Sequence, residues 1–87
     1  MRHWALPRFW YHYRSLPKYV QRLADQKFEI LKKDEEHPSL HFKTMTWRKN
    51  LWSVRIGISY RAIDIERLDG IHWFWIGSHT EYDKLLS

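Results

Sequence analysis

From Pro7 to about Glu36, apolar residues recur at helical spacing. Phe9, Trp10 and Tyr13 fall at i, i+1 and i+4, one face of a short helix, and Pro7 suits a first helical position, where its missing N–H costs nothing. Ser15-Leu16-Pro17 breaks the run, because the residue before a proline is pushed out of the α region. Pro17 then opens a longer helix with an apolar stripe of Tyr19, Val20, Leu23, Ala24, Phe28, Ile30 and Leu31. Lys18, Gln21, Arg22, Asp25, Gln26 and Glu29 supply its wet face. The acidic cluster Asp34-Glu35-Glu36 and then His37-Pro38 end it. Together the two segments predict an antiparallel helical hairpin.

After Pro38 the period changes to two. Leu40, Phe42 and Met45 fit a strand over Leu40 to Thr46, and Arg48-Lys49-Asn50 reads as a polar turn. Trp52, Val54 and Ile56 alternate with Ser53, Arg55 and Gly57, whereas from Arg61 the apolar set moves to Ile63 and Ile65, with Asp64 and Glu66 between them. That shift of phase needs a break near Gly57–Ser59, so the stretch is two antiparallel strands joined by a tight turn. Asp69-Gly70 is a strong hairpin signal. "IHWFWIG", Ile71 to Gly77, is apolar on both faces, as an interior strand is. Glu81 to Leu86 fits a short closing helix, and Arg2 to Ala5 has room for a short strand before the first helix. The expectation is an α+β fold over residues 1–87, one domain: a helical hairpin on one face of a twisted antiparallel sheet of about four strands, with the other face partly open.

Composition narrows the possibilities. There is no cysteine, which excludes a disulfide scaffold and thiolate zinc ligands and fits a cytoplasmic protein. No apolar run approaches the roughly 20 residues of a membrane span, and "MRHWALPRFW" lacks the long apolar stretch and small-residue cleavage site of a signal peptide. Net charge is +5. Its distribution says more: from His37 to Ile63 there is no carboxylate, while Lys43, Arg48, Lys49, Arg55 and Arg61 all lie there. A one-sign segment of this kind suits an anionic partner.

The candidate chemistry follows from that segment. Arg55 and Arg61 flank the tight turn, so on paired strands they project from neighbouring positions, and two planar guanidinium forks suit a phosphate. Lys43 on the adjoining strand can join them; the alternative for each is a solvated strand position or a partner for Asp64 or Glu66. His79 follows the interior strand, and an imidazole is the side chain generally suited to proton transfer near neutral pH. Its alternative is a water-facing residue beside a Ser78 or Thr80 helix cap. Tyr82 either stacks on a base or anchors the last helix. Trp47, with Arg48 and Lys49, can offer a stacking platform and phosphate contacts to single-stranded nucleic acid, whereas Trp52 has the phase of a core residue. The histidines show no metal-ligand spacing such as HExxH, so neither a metal nor a cofactor is expected.

"HPSLHFK", "LWSVRIGISYRAI" and "WFWIGSHTEYDKL" together resemble the RelE/ParE superfamily of toxins from type II toxin–antitoxin pairs, over about Leu16 to Leu85. The Arg55…Tyr60-Arg61 strand pair and the closing Ile76-Gly77-Ser78-His79…Tyr82 carry the resemblance most specifically. It implies a toxin masked by a cognate antitoxin protein. For RelE-like members it implies a metal-independent endoribonuclease that cuts messenger RNA at the ribosome by attack of a ribose 2′-hydroxyl on the adjacent phosphate. By position, Arg55 and Arg61 match the family's strand arginines, His79 the C-terminal histidine that some members use as general acid, Tyr82 a functional tyrosine and Lys43 a basic residue. His41 or Lys43 stands for the base. The ParE-like branch implies instead a non-enzymatic inhibitor of DNA gyrase, and an inactive RNA- or anion-binding domain is the third reading.

Overall fold

A computed structural model describes residues 2–45 and 48–86 of the chain. In order they form strand β1 (His3–Ala5), helices α1 (Pro7–Arg14) and α2 (Lys18–Lys33), a 3-10 turn (Pro38–Leu40), strands β2 (Lys43–Met45), β3 (Arg48–Arg55), β4 (Tyr60–Arg67) and β5 (Gly70–Ser78), and helix α3 (His79–Leu86). No helix among the described residues is long and apolar enough to cross a membrane.

The hairpin breaks where the prolines require it. Pro7 sits in the first turn of α1 and Pro17 immediately precedes α2. Gln21 clamps the joint, its side-chain amide donating to the carbonyls of Tyr13 and Leu16 at 3.1 and 3.2 Å. α2 stops at Lys33, with Asp34 as its cap. Leu40 is not the start of a strand. His37 Nδ1 accepts from the Ser39 N–H, the 3-10 turn closes, and Leu40 plugs the core before the backbone passes through the left-handed region at His41, φ 45°.

Among the described residues, five strands make the sheet, in the order β1-β5-β4-β3-β2. β1 runs parallel to β5 and the other pairs are antiparallel, so the sheet is mixed and one strand wider than the sequence reading. Gly70 permits this close edge: its φ is +140°, the Ile71 N–H donates to the Arg2 carbonyl at 2.8 Å, and a Cβ on Gly70 would collide with that carbonyl. Arg48-Lys49-Asn50 is the beginning of β3 rather than a turn, because Arg48 already pairs with Met45.

One irregularity distributes the aromatic residues of β5. Ile63 pairs with Trp75 but Asp64 pairs with Trp73, so Phe74 is an extra residue, a bulge. Trp73 therefore faces the helices, in a core with Phe9, Val20, Leu31, Val54 and Ile71. Trp75 belongs to a second cluster with Met45 and Ile63, packed by Leu51, Phe74 and Tyr82. Tyr82 lies on α3, so the sheet's far face is partly covered by that helix.

A candidate anion site beside the turn between β3 and β4

The turn that follows β3 closes with the Ile56 N–H donating to the Tyr60 carbonyl at 3.1 Å. That register sets Arg55 opposite Arg61, and Arg61 opposite Gly77. Directly opposed residues share a face of the sheet, so the two arginines are neighbours, as expected from the sequence. Two residues before Arg55, Ser53 pairs with Lys43, which places that exposed lysine on the same face. Neither arginine meets a carboxylate among the described residues: Asp64 lies on the other face and Glu66 accepts from the Trp52 indole at 2.8 Å. Trp52 stacks on Phe42 at 4.3 Å against the main core, as its phase requires.

The guanidinium groups are held differently. Arg61 Nη1 donates to the carbonyls of Gly57 and Tyr60 at 3.1 and 2.9 Å, which ties it to the turn. Arg55 is held more loosely, with Nη1 at 3.5 Å from His41 Nε2, the outer limit of a hydrogen bond.

His79 reaches the same end of the sheet through its backbone, its N–H donating to the Ser59 carbonyl at 2.7 Å. Ser78 caps α3: its Oγ accepts from the Glu81 N–H at 3.1 Å and donates to the Glu81 carboxylate at 3.2 Å, a variant of the capping box. The His79 ring stacks on Tyr82 at 6.1 Å between centroids and sets Nδ1 3.4 Å from Asp83. Tyr82 in turn lies 6.5 Å from the Trp75 ring. Trp75 itself folds flat over Gly77, where a Cβ would strike the indole. So Ser78 caps α3, Tyr82 anchors that helix to the sheet, and His79 rides on both.

Arg48 and Lys49 are not in this cluster. They start β3 while Arg55 ends it, and at ~3.3 Å per residue the two ends lie about 20 Å apart. Trp47 lies outside the described residues. Among the described residues, no group of three His, Asp or Glu side chains could hold a metal ion.

Sequence reasoning missed Asp64. Between Ile63 and Ile65 it reads as solvent-facing, but regular pairing with β3 sets Asp64 on the helix-facing side with Ala62, opposite Trp73, fully buried and, among the described residues, with neither oxygen hydrogen-bonded. Burial alone pushes its carboxyl well above the ordinary carboxylate range. The only warning in the sequence is the run of aromatics on β5, which no single alternation accommodates. His3 was also unremarked: its side chain is buried between Phe28 and Phe42 and meets Glu35 at 2.8 Å. Burial lowers its pKa, against the raising effect of Glu35.

A ParE-like toxin domain matches residues 18–84, which contain every candidate residue from Lys43 to Tyr82. The chain belongs to the ParE-like toxin family. No protein of curated function matches the sequence significantly. In fold, this ParE-like chain is similar to the RelB-RelE antitoxin-toxin complex of Methanococcus jannaschii, with a TM-score of 0.77 and 12% identity over 97% of this chain and 99% of the other. It is similar also to the archaeal RelE-RelB complex of Pyrococcus horikoshii, at 0.68 and 18% over 88% and 92%. A copper-bound mutant toxin from Helicobacter pylori scores 0.64 at 15% over 93% and 97%. The ParE-like match begins at Lys18, so β1 and α1 precede it, yet β1 supplies an edge of the same sheet.

Proposed function

We propose that this ParE-like chain is the toxin of a toxin–antitoxin pair and an endoribonuclease that cleaves messenger RNA at the ribosome without a metal. The observation that carries the reading is the in-register pair Arg55–Arg61, with His79 tethered to the turn between them. The RelE proteins whose fold it shares were solved in complexes with RelB antitoxins, which supports an antitoxin as its partner.

In this reading the 2′-hydroxyl attacks phosphorus and gives its proton to His41 or Lys43, both on the Arg55 side of the cluster. Arg55 supplies a planar pair of donors to the phosphate oxygens as negative charge builds on them. Arg61 holds the turn and adds its charge. The bond from phosphorus to the 5′-oxygen breaks, and His79 protonates that oxygen, leaving a 2′,3′-cyclic phosphate and a 5′-hydroxyl. Asp83 accepts from His79 Nδ1 when that nitrogen carries a proton.

A translation reaction with mapped cleavage ends tests this. Loss of the Arg55 donors in Arg55→Ala slows cutting by roughly 100-fold or more, and His79→Ala slows it with the same end chemistry. Uncut message together with blocked gyrase supercoiling selects the non-enzymatic reading instead. One observation favours that second reading: the Arg61 guanidinium already bonds two carbonyls of its own turn.

A further inference from the structure

Away from the basic sheet face, the two helices of the hairpin leave a pocket of about 250 Å³ between them. Phe9, Trp10, Tyr13, Phe28 and Trp73 wall it, and the carboxylates of Asp25 and Glu29 stand on its rim. The rings form a continuous set: Phe9 meets Trp10, Tyr13 and Trp73 edge-on or tilted at 5.2 to 5.9 Å, and Phe28 meets Trp73 at 5.1 Å. Among the described residues, the buried Trp73 indole N–H has no hydrogen-bond partner. Both carboxylates are solvent-exposed, an acidic spot on a chain of net charge +5.

Aromatic faces and carboxylates together attract cations and leave anions outside. The protein shows the preference itself: the Lys32 ammonium lies 5.0 Å from the Phe28 ring and 3.0 Å from Glu29. Lys32 does not wall the pocket, and Asp25 keeps a fixed orientation by accepting from Tyr13 at 2.9 Å. The volume falls below the roughly 300–1,000 Å³ typical of small-molecule sites but suits a single long side chain. We propose that this pocket receives the arginine or lysine side chain of a partner protein, from a segment with apolar residues beside the cation that cover Trp10 and Tyr13. The claim is independent of whether the chain cuts RNA.

The test titrates the intact chain with acetyl-Ala-Leu-Arg-Leu-Ala-amide and follows the Trp10 and Trp73 indole N–H signals by NMR. The arginine peptide should shift both. Replacing arginine by neutral citrulline, or using the D25N/E29Q double variant, should weaken binding roughly 10-fold, the worth of a desolvated cation over rings and carboxylates. Both variant positions are exposed on α2, so the fold survives. Lys32→Met, which removes the cation paired with Glu29 beside the pocket, should tighten binding. Equal affinity for the citrulline peptide overturns the proposal, as does the same response to tetramethylammonium alone, which marks a small-cation site. A dimer in sedimentation that D25N/E29Q dissociates also overturns it, because the occupant is then a second copy of this chain.

Discussion

Replacing Asp64 by Asn should make the protein more stable at neutral pH. The carboxyl is fully buried opposite Trp73, has no hydrogen-bond partner among the described residues and is shifted well above its ordinary value of 3.8 by burial. Folding therefore keeps a proton on Asp64 that the unfolded chain releases. A group whose folded pKa is raised contributes stability that is fully present below the unfolded pKa and is lost as pH rises toward the folded one. The loss begins near pH 3.8 and grows by about 1.4 kcal/mol per pH unit. If the acid stays neutral in the folded state up to pH 7, the penalty there reaches at most about 4 kcal/mol. Asn keeps the shape and the unpaired polar atoms but has no proton to lose, so the variant isolates ionisation from packing. Even half of that gain would raise the melting temperature by roughly 8 °C in a domain of this size. Urea titrations followed by tryptophan fluorescence, for both proteins at pH 4, 5.5, 7 and 8, measure the difference directly. It should be near zero at pH 4 and widen upward. A difference that stays flat across that range, or a less stable variant at pH 7, would refute the argument that a neutral acid is trapped in the core.

Three further outcomes follow from the geometry. Gly70→Ala meets a positive φ and the Arg2 carbonyl at once, so it should cost more than about 1 kcal/mol and abolish hydrogen-exchange protection of the Ile71 amide, which bonds that carbonyl. Ser78→Ala removes the cap of α3 and should cost about 1 kcal/mol, with a change in the Tyr82 ring signals seen by NMR; unchanged signals would mean that the cap does not position α3. His3 is held below its ordinary value of 6.5 by burial, so its contribution is present above that pH and declines as pH falls through the folded pKa. Direct NMR titration of the ring should give a midpoint below 6.5, and a midpoint above it would show the Glu35 pair dominating burial.

The parts of the fold that the sequence disclosed are those whose apolar pattern follows directly from burial. The stripe of α2 meets the main core, and the phase change between Val54 and Ile63 reflects two strands whose apolar residues meet opposite clusters. The parts it concealed have other causes. β1 has its place among the expectations at Arg2 to Ala5, but at three residues it is too short to show a period, and its parallel pairing with β5 is invisible in the sequence. Arg48, Lys49 and Asn50 are polar because they are exposed at a hairpin end, and polarity of that origin is indistinguishable from a turn. Leu40 is apolar because a 3-10 turn drops it into the core. Asp64 breaks the rule that polar residues between apolar ones face water, since both faces of β4 are covered: Ile63 meets one cluster, while Asp64 lies on the side of Ala62 and the other, opposite Trp73.

For the candidate site, Arg55 and Arg61 lie equally far from Ile58, so a hairpin centred on that residue must oppose them whatever the turn geometry. Side-chain direction is another matter. Capture of Arg61 by the carbonyls of Gly57 and Tyr60 depends on a rotamer and on the local shape of the turn, neither of which spacing encodes. The same holds for His79, whose ring is placed by Tyr82 and Asp83 rather than by the strand it follows. The single extra residue Phe74 ties these threads together. It sends Trp73 to the hairpin side, where it floors the aromatic pocket, and Trp75 to the far side, where it lies over Gly77 and beside Tyr82. Two indoles two residues apart thus support surfaces of opposite charge preference. The same bulge sets Trp73 opposite the buried Asp64, so the indole beside that carboxyl and the placement of both surfaces have one structural origin.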